Sequence, residues 1–388
     1  MQLIPFFLDK KDQYTQWRRT IHSNPELAYQ EHVTSDFVAE KLNSFGLKVV
    51  RGIGKTGLVA TLRNGKSDRS VGLRADMDAL PIQEMNTFSH RSKQDGIMHA
   101  CGHDGHTVML LAAAEYLSEN RFFEGAIHFI FQPAEEGEAG ARAMINDGLF
   151  DNFPIESVFA IHNWPGLGVG KMAMRPGPAM AAFDIFSAEI KGKGGHAALP
   201  HLVSDTIHVA AQIVMAWQTI VSRNVKPTDP AVLSVTRFHG GDAWAVVPKA
   251  VELGGTVRTF TERVQDLITR RMREIADNIC QANNCELTWH YEKRYPATVN
   301  SDDETKIATA AAQAVCGEES VDPKVDMVTG SEDFGFMLQK KPGCYAFIGN
   351  GPGEGGCMLH SPTFDFNDEI TPVGASYWVK IVEKVLSP

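Results

Sequence analysis

The chain has 388 residues, of which 43% are hydrophobic and 22% are charged, and its formal net charge is −10. This length suggests two domains rather than one hydrophobic core. The acidic balance and the lack of a dense basic run argue against a nucleic-acid partner, and no apolar stretch is long enough to span a bilayer.

The N-terminus and the cysteines indicate the cellular compartment. The first residues, MQLIPFFLDKKD, lack the basic start and the small-residue cleavage site of a signal peptide. The six cysteines stand at positions 101, 280, 285, 316, 344 and 357, without a paired framework. We therefore expect reduced thiols and a cytoplasmic location.

Helical and strand-like segments alternate in the two outer parts of the chain. Residues 9–45 have apolar side chains at helical spacing and predict helical structure. Further along the chain, strands are predicted at 70–73, 127–131, 158–161 and 344–348, and helices at 107–117, 141–147, 304–315 and 372–385. This alternation predicts an α/β fold with a mostly parallel mixed sheet and helices on both faces.

Residues 178–292 have a different order of elements. Strands are predicted at 183–190, 231–238, 251–260 and 286–291, and helices at 204–222 and 262–282. The order β-α-β-β-α-β is that of a ferredoxin-like α+β domain. We therefore expect one domain at 1–177 and 293–388, with a second domain, 178–292, inserted into it.

The stretch MHACGHDGH (98–106) is the densest cluster of potential metal ligands in the chain. Similar residue types recur where predicted strands end: Asp76, Asp78, Glu135, Glu136, His162 and, in a later loop, His360. Because ligands of open α/β sheets bind beyond the carboxyl ends of the strands, these side chains should converge with Cys101 and His103. Such a set exceeds the four ligands of a structural zinc and predicts a two-metal catalytic site.

The adjacent carboxylates Glu135 and Glu136 suggest a division of roles. On an extended segment, neighbouring side chains point in opposite directions, so one could bind metal while the other faces a bound water. The mixed set of thiolate, imidazole and carboxylate ligands is typical of two divalent ions such as Zn, Mn, Co or Ni.

Eight motifs, in order along nearly the whole chain, resemble those of the aminoacylase/carboxypeptidase group of metal-dependent amidohydrolases. They are RADMDALP (74–81), HACGHDGH (99–106), FQPAEEG (131–137), HNWP (162–165), GGHAALPH (194–201), GTVRTF (255–260), GSEDF (330–334) and HSPTFDFND (360–368). The likeness is strongest to the branch of hippurate hydrolases, indole-acetyl-amino-acid hydrolases and N-acetyl-diaminopimelate deacetylases. It implies a zinc-peptidase-like catalytic domain and an inserted lid or dimerisation domain.

The resemblance also implies roles for individual residues. The metal ligands would be Cys101 as the bridge, His103, Glu136, His162 and His360. Glu135 would be the general acid/base, His196 would reach the scissile carbonyl, and Asp78 would support the site together with Asp76. Arg258 and Glu332 are candidates for substrate binding, although Glu332 could equally cap local backbone. Ala245 stands where the family commonly has an asparagine, whose amide can bind the carboxylate or carbonyl of the substrate, whereas alanine cannot.

The resulting hypothesis is hydrolysis of N-acyl amino acids, such as hippurate or N-acetyl amino acids, by metal-activated water. A dipeptidase or aminopeptidase of the same family is an alternative, and a hydrolase with Cys101 as its nucleophile is a weaker one. The partners expected are a small-molecule substrate and a second copy of the chain, with a homodimer formed through the inserted domain.

Overall fold

A computed structural model describes residues 1–352 and 358–387, and Cys357 lies outside these ranges. The chain divides into two compact units. Unit 1 comprises Met1–Ala179, Val299–Asp326 and Asp333–Pro388, and unit 2 comprises Met180–Thr298 and Met327–Glu332. The predicted domain boundaries, at 178 and 292, remain a prediction, as does the lid or dimerisation role of the inserted part.

The strands and helices within these ranges are as follows. The strands are β1 (Lys48–Ile53), β2 (Gly57–Asn64), β3 (Ser70–Asp76), β4 (Gly125–Gln132), β5 (Ser157–Pro165), β6 (Met172–Ala173), β7 (Gly177–Met180), β8 (Ala182–Lys191), β9 (Gly195–His196), β10 (Ala231–His239), β11 (Val246–Val247), β12 (Ala250–Thr259), β13 (Glu286–Tyr295), β14 (Thr298–Asn300), β15 (Val321–Asp322) and β16 (Gly343–Gly351). The helices are α1 (Pro5–Asp9), α2 (Lys11–His22), α3 (His32–Ser44), α4 (His103–Glu119), α5 (Gly140–Asn146), α6 (Leu149–Asn152), α7 (Thr206–Thr219), α8 (Glu262–Ala282), α9 (Asp302–Cys316), α10 (Gly335–Leu338) and α11 (Thr371–Val385).

Unit 1 is built on an eight-stranded mixed sheet with the order β1-β2-β4-β3-β5-β16-β6-β15. Its four central strands, β4, β3, β5 and β16, run parallel to one another. Every residue of β3, β4 and β16 is buried, as expected for strands that are covered on both faces. The carboxyl ends of these strands therefore lie side by side along one edge of the sheet.

Both faces of this sheet are covered. Phe129 and Phe131 of β4 pack into the main core with the apolar side of α4 and α11. The intervening Ile130 is also buried, and its side chain points to the opposite face, where α5 contacts β4. The predicted α/β fold class is confirmed.

The four-stranded sheet of unit 2 has the order β10-β12-β8-β13 and is antiparallel throughout. Its two helices, α7 and α8, supply Trp217 and Met272 to one buried core. Each helix starts at a side-chain cap: Asp205 accepts a hydrogen bond from the N–H of His208, and Thr261 accepts one from the N–H of Val264. The chain order β8-α7-β10-β12-α8-β13 is the predicted ferredoxin-like arrangement.

One helical prediction was wrong in part. Residues 9–45 do not form continuous helical structure, because α2 ends at His22 and α3 begins at His32. Pro25 accounts for the break, since its ring disfavours helical geometry at Asn24 and it has no N–H to donate. The antiparallel pair β1–β2 at the sheet edge was not predicted at all.

The remaining findings concern the cysteines and the membrane. The five cysteines of the described ranges, residues 101, 280, 285, 316 and 344, are buried free thiols. Within residues 1–352 and 358–387, no helix has both the length and the hydrophobicity that a bilayer crossing requires.

Candidate metal centre

The potential ligands of unit 1 come from neighbouring strand ends and the start of one helix. Glu135 and Glu136 follow β4, and His162 lies within β5, three residues before its end. His103 is the first residue of α4 rather than preceding it, and Cys101 stands two residues earlier. The backbone N–H of His360 donates to the carbonyl of Ala100 at 2.7 Å, which brings the later loop to the same place.

Gly102, between Cys101 and His103, permits this close approach. Its φ of +92° is left-handed, and a Cβ there would lie 2.2 Å from Oδ1 of Asn163. Any other residue would be strained and would collide with the strand that carries His162. Glycine at this position therefore allows Cys101, His103 and the start of α4 to lie directly against β5.

The potential ligand atoms form two groups of three that share one sulfur. Cys101, His103 and His162 form one group, and Cys101, Glu136 and His360 form the other, with all ligand atoms of a group within 4.8 Å of one another. Cys101 Sγ lies 3.4 Å from His162 Nε2, and His360 Nε2 lies 3.1 Å from Glu136 Oε1. All five sequence-predicted metal ligands thus come together in unit 1.

Hydrogen bonds orient two of the imidazoles toward the shared sulfur. His162 Nδ1 donates to the carbonyl of Asn163 at 2.7 Å, and His103 Nδ1 donates to the carbonyl of Asp78 at 2.9 Å. A neutral imidazole that donates through Nδ1 has its lone pair on Nε2. Nε2 of each ring is therefore the atom that would bind a cation, as in metal sites where a second residue fixes the orientation of the ring. In His103, whose pKa is raised, the cation would replace the Nε2 proton.

Two buried atoms fit the binding of a positive ion. In the part of the chain that the structure describes, His103 Nε2 and Glu136 Oε1 are buried without a hydrogen-bond partner. The contact between Glu136 Oε1 and His360 is close but not a well-formed hydrogen bond. Because a buried polar atom without a partner costs free energy, a cation at this position would stabilise the site.

The pKa values of this centre reflect a buried and mostly negative environment. Burial, and then the Glu136 and Glu135 carboxylates, hold the pKa of the Cys101 thiol well above its usual range. Burial would lower the pKa of His103, but Asp76 and Asp78 outweigh it and raise this pKa to about 10. Negative charge concentrated around a thiol is the setting in which a divalent cation favours the thiolate.

Asp78 connects the two groups of ligands. Its Oδ1 lies 3.2 Å from His103 Nδ1, and its Oδ2 accepts the backbone N–H of Glu136 at 2.9 Å. Asp76, which ends β3, lies 2.6 Å from His106 Nδ1 and 2.6 Å from the Arg74 guanidinium. Both aspartates therefore contact residues of the site, and their supporting role remains a prediction.

The predicted opposite orientation of Glu135 and Glu136 was wrong. Their carboxylates converge with His103, with ligand atoms within 4.8 Å of one another. The segment is not extended, because Ala134 has a φ of +55° and residues 136–138 form a turn. The carboxylate of Glu31 stabilises this unusual backbone by accepting the N–H of Ala134 at 2.8 Å.

Comparison with known proteins agrees with this geometry. Residues 72–384 match peptidase family M20/M25/M40. The chain belongs to this family. It is 41% identical to the hippurate hydrolase of Campylobacter jejuni over 386 residues, which cover 100% of both chains. It is 40% identical to the N-acetyl-L-cysteine deacetylase of Bacillus subtilis, over 93% of this chain and 85% of that one.

A solved structure extends the comparison to three dimensions. A Bacillus subtilis protein, described as a dinuclear metal binding peptidase of the M20 family, is 32% identical and superposes with a TM-score of 0.85. The comparison covers 98% of this chain and 99% of that one. The predicted family is confirmed, and with it the prediction of a metal-dependent hydrolytic enzyme.

Three predicted site residues of this M20 chain lie in unit 2. His196 is exposed on β9, and its Nδ1 accepts the N–H of Ala198 at 3.1 Å. Arg258 is partly buried, donates to the Ser331 hydroxyl and stacks 4.1 Å from the Phe183 ring centroid. Glu332 is buried, and its backbone carbonyl accepts the Thr298 hydroxyl at 3.3 Å. Their roles at the site remain predictions.

Ala245 lies beside His196 within unit 2. The short strands β9 and β11 pair His196 with Val246, and the Ala245 carbonyl accepts the N–H of Ala197 at 2.9 Å. The methyl side chain of Ala245 offers no hydrogen-bonding group next to this histidine.

Sequence reasoning missed the supporting residues Glu31 and Asn163. The backbone N–H of Asn163 donates to His106 Nε2 at 3.0 Å, and His106 in turn contacts Asp76. The only signal for Asn163 in the sequence was its position directly after His162 in the HNWP motif. Glu31 lies more than a hundred positions from Ala134, and no local pattern relates the two.

Proposed function

We propose that this chain is a metal-dependent amidohydrolase that cleaves the amide bond of N-acyl amino acids. The observation that carries the proposal is the pair of ligand groups that share Cys101, with Glu135 beside Glu136. Two relatives support the substrate class, since one is named for hippurate, which is N-benzoylglycine, and the other for N-acetyl-L-cysteine.

The residues present fit two divalent cations. Cys101 would be shared, His103 and His162 would complete one position, and Glu136 and His360 the other. The thiolate, imidazole and carboxylate donors are typical of Zn, Mn, Co or Ni and do not select among them. When bound, such ions increase the acidity of water and polarise a carbonyl oxygen.

Glu135 would carry the proton during hydrolysis. Glu135 is 6% exposed, and its carboxylate lies with His103 and Glu136, yet it belongs to neither group that contains Cys101. It takes a proton from water as the water oxygen bonds to the acyl carbon. It then gives that proton to the amine nitrogen as the carbon–nitrogen bond breaks, so that the products are a carboxylic acid and a free amine.

His196 and Arg258 complete the proposal. A donor such as His196 would stabilise negative charge on the carbonyl oxygen, and Arg258 would pair with a substrate carboxylate in place of the amide that Ala245 lacks. Replacement of His196 by alanine should lower kcat, whereas the same change at the exposed His201 should not. Equal activities of the two variants would remove His196 from the mechanism.

A cysteine-nucleophile mechanism is disfavoured by the surroundings of Cys101. Its sulfur lies 3.4 Å from His162 Nε2, which resembles a nucleophile–base pair. However, burial and the nearby carboxylates raise the pKa of this thiol, whereas reactive cysteines need a lowered pKa. Burial, and then His106, keep the pKa of His162 well below its ordinary value, which leaves this imidazole neutral and suited to bind metal.

The test combines metal analysis with a substrate panel. The purified protein should contain divalent metal and should hydrolyse hippurate or N-acetyl amino acids faster than dipeptides. Removal of the metal by a chelator should abolish hydrolysis, and added Zn, Mn, Co or Ni should restore it. Faster cleavage of dipeptides would favour the peptidase activity after which the family is named, and full activity without metal would overturn the proposal.

A further inference from the structure

A cleft lies on the sheet of unit 1, apart from the residues of the metal centre. It has a volume of about 530 Å³ and is lined by side chains of β1, β2 and β4, by the last residue of α6 and by the two residues after it. Clefts of 300–1,000 Å³ are typical of small-molecule sites. The cleft involves β1, the edge strand, whereas the metal-type side chains follow the carboxyl ends of the central strands.

Strand register places three polar side chains of this cleft in one row. Lys48 of β1 pairs with Thr61 of β2, and Thr61 pairs with His128 of β4. Arg63 stands two residues after Thr61 and therefore points to the same face. This face is opposite the main core, which contains the intervening Leu62. All four residues line the cleft.

The cleft has positive charge without a compensating carboxylate. Lys48 and Arg63 line it, and no aspartate or glutamate of the described ranges does so. Neither cation forms an ion pair with any residue in those ranges, and Arg63 donates to the carbonyl of Ser67 at 2.8 Å. In a chain with 47 acidic and 37 basic residues, two unpaired cations in one cleft form a local anion-attracting field.

His128 supplies a buried polar group at the floor of this cleft. It is 3% exposed, and its Nδ1 lies 3.0 Å from the Thr61 hydroxyl. Its Nε2 is buried without a hydrogen-bond partner among the residues that the structure describes. Burial, and then the charge of Arg63, lower the pKa of His128 to about 4, so the ring has an unused hydrogen-bonding position and no charge at pH 7.

One wall of the cleft is apolar. Phe153 packs against the His128 ring with centroids 5.5 Å apart, and Ile53 and Val50 line the same space. A simple inorganic anion would leave this apolar wall in contact with water. A ligand with both a charged group and an apolar body would bury it.

We propose that this cleft binds a small organic carboxylate that has an apolar body, at a site separate from the metal centre. The carboxylate contacts Lys48 and Arg63, where a guanidinium can form paired hydrogen bonds with both oxygens. The apolar body packs against Phe153 and Ile53. This inference does not depend on the proposed hydrolytic activity, since none of the cleft residues belongs to the metal centre.

The test follows the His128 ring in the full-length, metal-loaded protein. Histidine side chains are labelled with ¹³C, the His128 signal is assigned with a His128→Asn variant, and benzoate is titrated. We expect a saturable shift of this signal. The double variant Lys48→Met/Arg63→Met should weaken benzoate binding by about ten-fold or more. The matched control, Lys66→Met/Arg121→Met, removes the same charge from exposed positions outside the cleft and should bind like the wild type.

Two further ligands test the two halves of the proposal. Inorganic phosphate supplies charge without an apolar body, and benzyl alcohol supplies an aromatic ring without charge, so both should bind more weakly than benzoate. Phosphate that binds as tightly as benzoate would overturn the assignment of an organic ligand. An unchanged benzoate affinity in the Lys48→Met/Arg63→Met variant would show that the shift arises elsewhere and would overturn the site. Diffraction from crystals soaked in 4-bromobenzoate should place bromine in the cleft.

Discussion

His103 and Asp104 are neighbours in the first turn of α4, yet their side chains belong to two different buried clusters of unit 1. His103 faces Cys101 and His162 in the metal centre. Asp104 faces a network of ion pairs with Arg18 and His22. Both clusters are rich in histidine and carboxylate side chains, and their comparison shows what distinguishes a binding site from a structural one.

The charged groups at the centre of the ion-pair network are paired with one another. The guanidinium of Arg18 is fully buried and contacts Asp104 at 3.3 Å, Asp365 at 2.8 Å and Asp368 at 2.8 Å. His22 uses both ring nitrogens, with Nδ1 2.9 Å from Asp104 and Nε2 3.2 Å from Glu84. These contacts join α2 to α4 and to the loop after His360.

The metal centre is paired less completely, although His360 Nε2 lies 3.1 Å from Glu136 Oε1 and His103 Nδ1 lies 3.2 Å from Asp78 Oδ1. His103 Nε2 and Glu136 Oε1 are buried without a hydrogen-bond partner in the described ranges, and the pKa values of Cys101 and His103 are displaced upward. A dense cluster of ionisable groups is therefore not sufficient to identify a site. Unpaired buried atoms do not identify a site by themselves either, since Asp104 Oδ1 in the ion-pair network also lacks a hydrogen-bond partner. What indicates a missing ligand is that the unpaired atoms of the metal centre belong to two groups of ligand atoms that converge on one sulfur.

The largest effect is expected from Glu135. Glu135→Gln removes the proton carrier but keeps the size of the side chain, so kcat should fall by about 10²–10⁴-fold. Metal content should stay at the wild-type value, because Glu135 lies outside the two groups that share Cys101. Steady-state kinetics and metal analysis of the same preparation check both expectations.

Glu138→Gln is the matched control for this change. Glu138 is exposed in the same turn, and its replacement should leave kcat unchanged. If Glu135→Gln retained wild-type activity, the assignment of proton transfer to Glu135 and of metal binding to Glu136 would be wrong.

The ion-pair network should matter for stability rather than for chemistry. Arg18→Met removes the buried cation that Asp104, Asp365 and Asp368 share. Breaking a buried pair typically costs about 3–5 kcal/mol of the free energy of unfolding. Arg273→Met is a suitable control, since Arg273 forms an exposed pair with Asp277 at 3.0 Å and such pairs contribute about 0.3–0.5 kcal/mol. Urea unfolding of the metal-loaded variants measures the difference. Equal stability losses in the two variants would contradict the contrast between buried and exposed pairs.

The same network predicts a pH dependence through His22. Burial would lower the pKa of His22, but hydrogen bonds to Asp104 and Glu84 outweigh burial and the charge of Arg18, and raise it to about 9. A pKa raised above the unfolded value of about 6.5 adds stability that is complete below pH 6.5 and is lost as the pH rises through 9. This contribution is on the order of 3 kcal/mol.

The measurement is the difference in unfolding free energy between the wild type and His22→Gln at several pH values. This difference should be largest near pH 6 and should shrink toward pH 10. The exposed His32 provides the control, because His32→Gln should show no such trend. A difference that grows with pH would mean that His22 is neutral in the folded protein.

Sequence patterns predicted the parts of the molecule that depend on neighbouring residues. Apolar runs located β4, β5 and β16, and helix α8 was predicted with its observed bounds, 262–282. The end of each parallel strand predicted where Glu135, Glu136 and His162 would lie, because parallel strands share one edge. These features leave a local or periodic signal in the sequence.

Long-range pairing left no such signal. Arg18 meets Asp365 and Asp368 across about 350 positions, and nothing in the sequence distinguishes these aspartates from exposed ones. The left-handed conformation of Ala134 was equally invisible, since alanine does not favour it and its N–H is bound by the carboxylate of Glu31, which is distant in the sequence. Such contacts depend on the completed fold rather than on spacing along the chain.

The smallest effect is expected from replacing Asp78. This change tests whether Asp78 belongs to the metal centre or to the ion-pair network. Asp78→Asn weakens the acceptors for His103 and for the backbone of Glu136, and loss of such a supporting carboxylate typically lowers metal affinity by about 10–100-fold. Stability without metal should change little, because the amide has nearly the same volume and retains one acceptor oxygen. Competition with a chelator of known affinity measures metal binding, and Asp95→Asn, on the surface, is the control. If Asp78→Asn destabilised the metal-free protein as strongly as Arg18→Met, Asp78 would belong to the structural network, and the metal centre would end at its direct ligands.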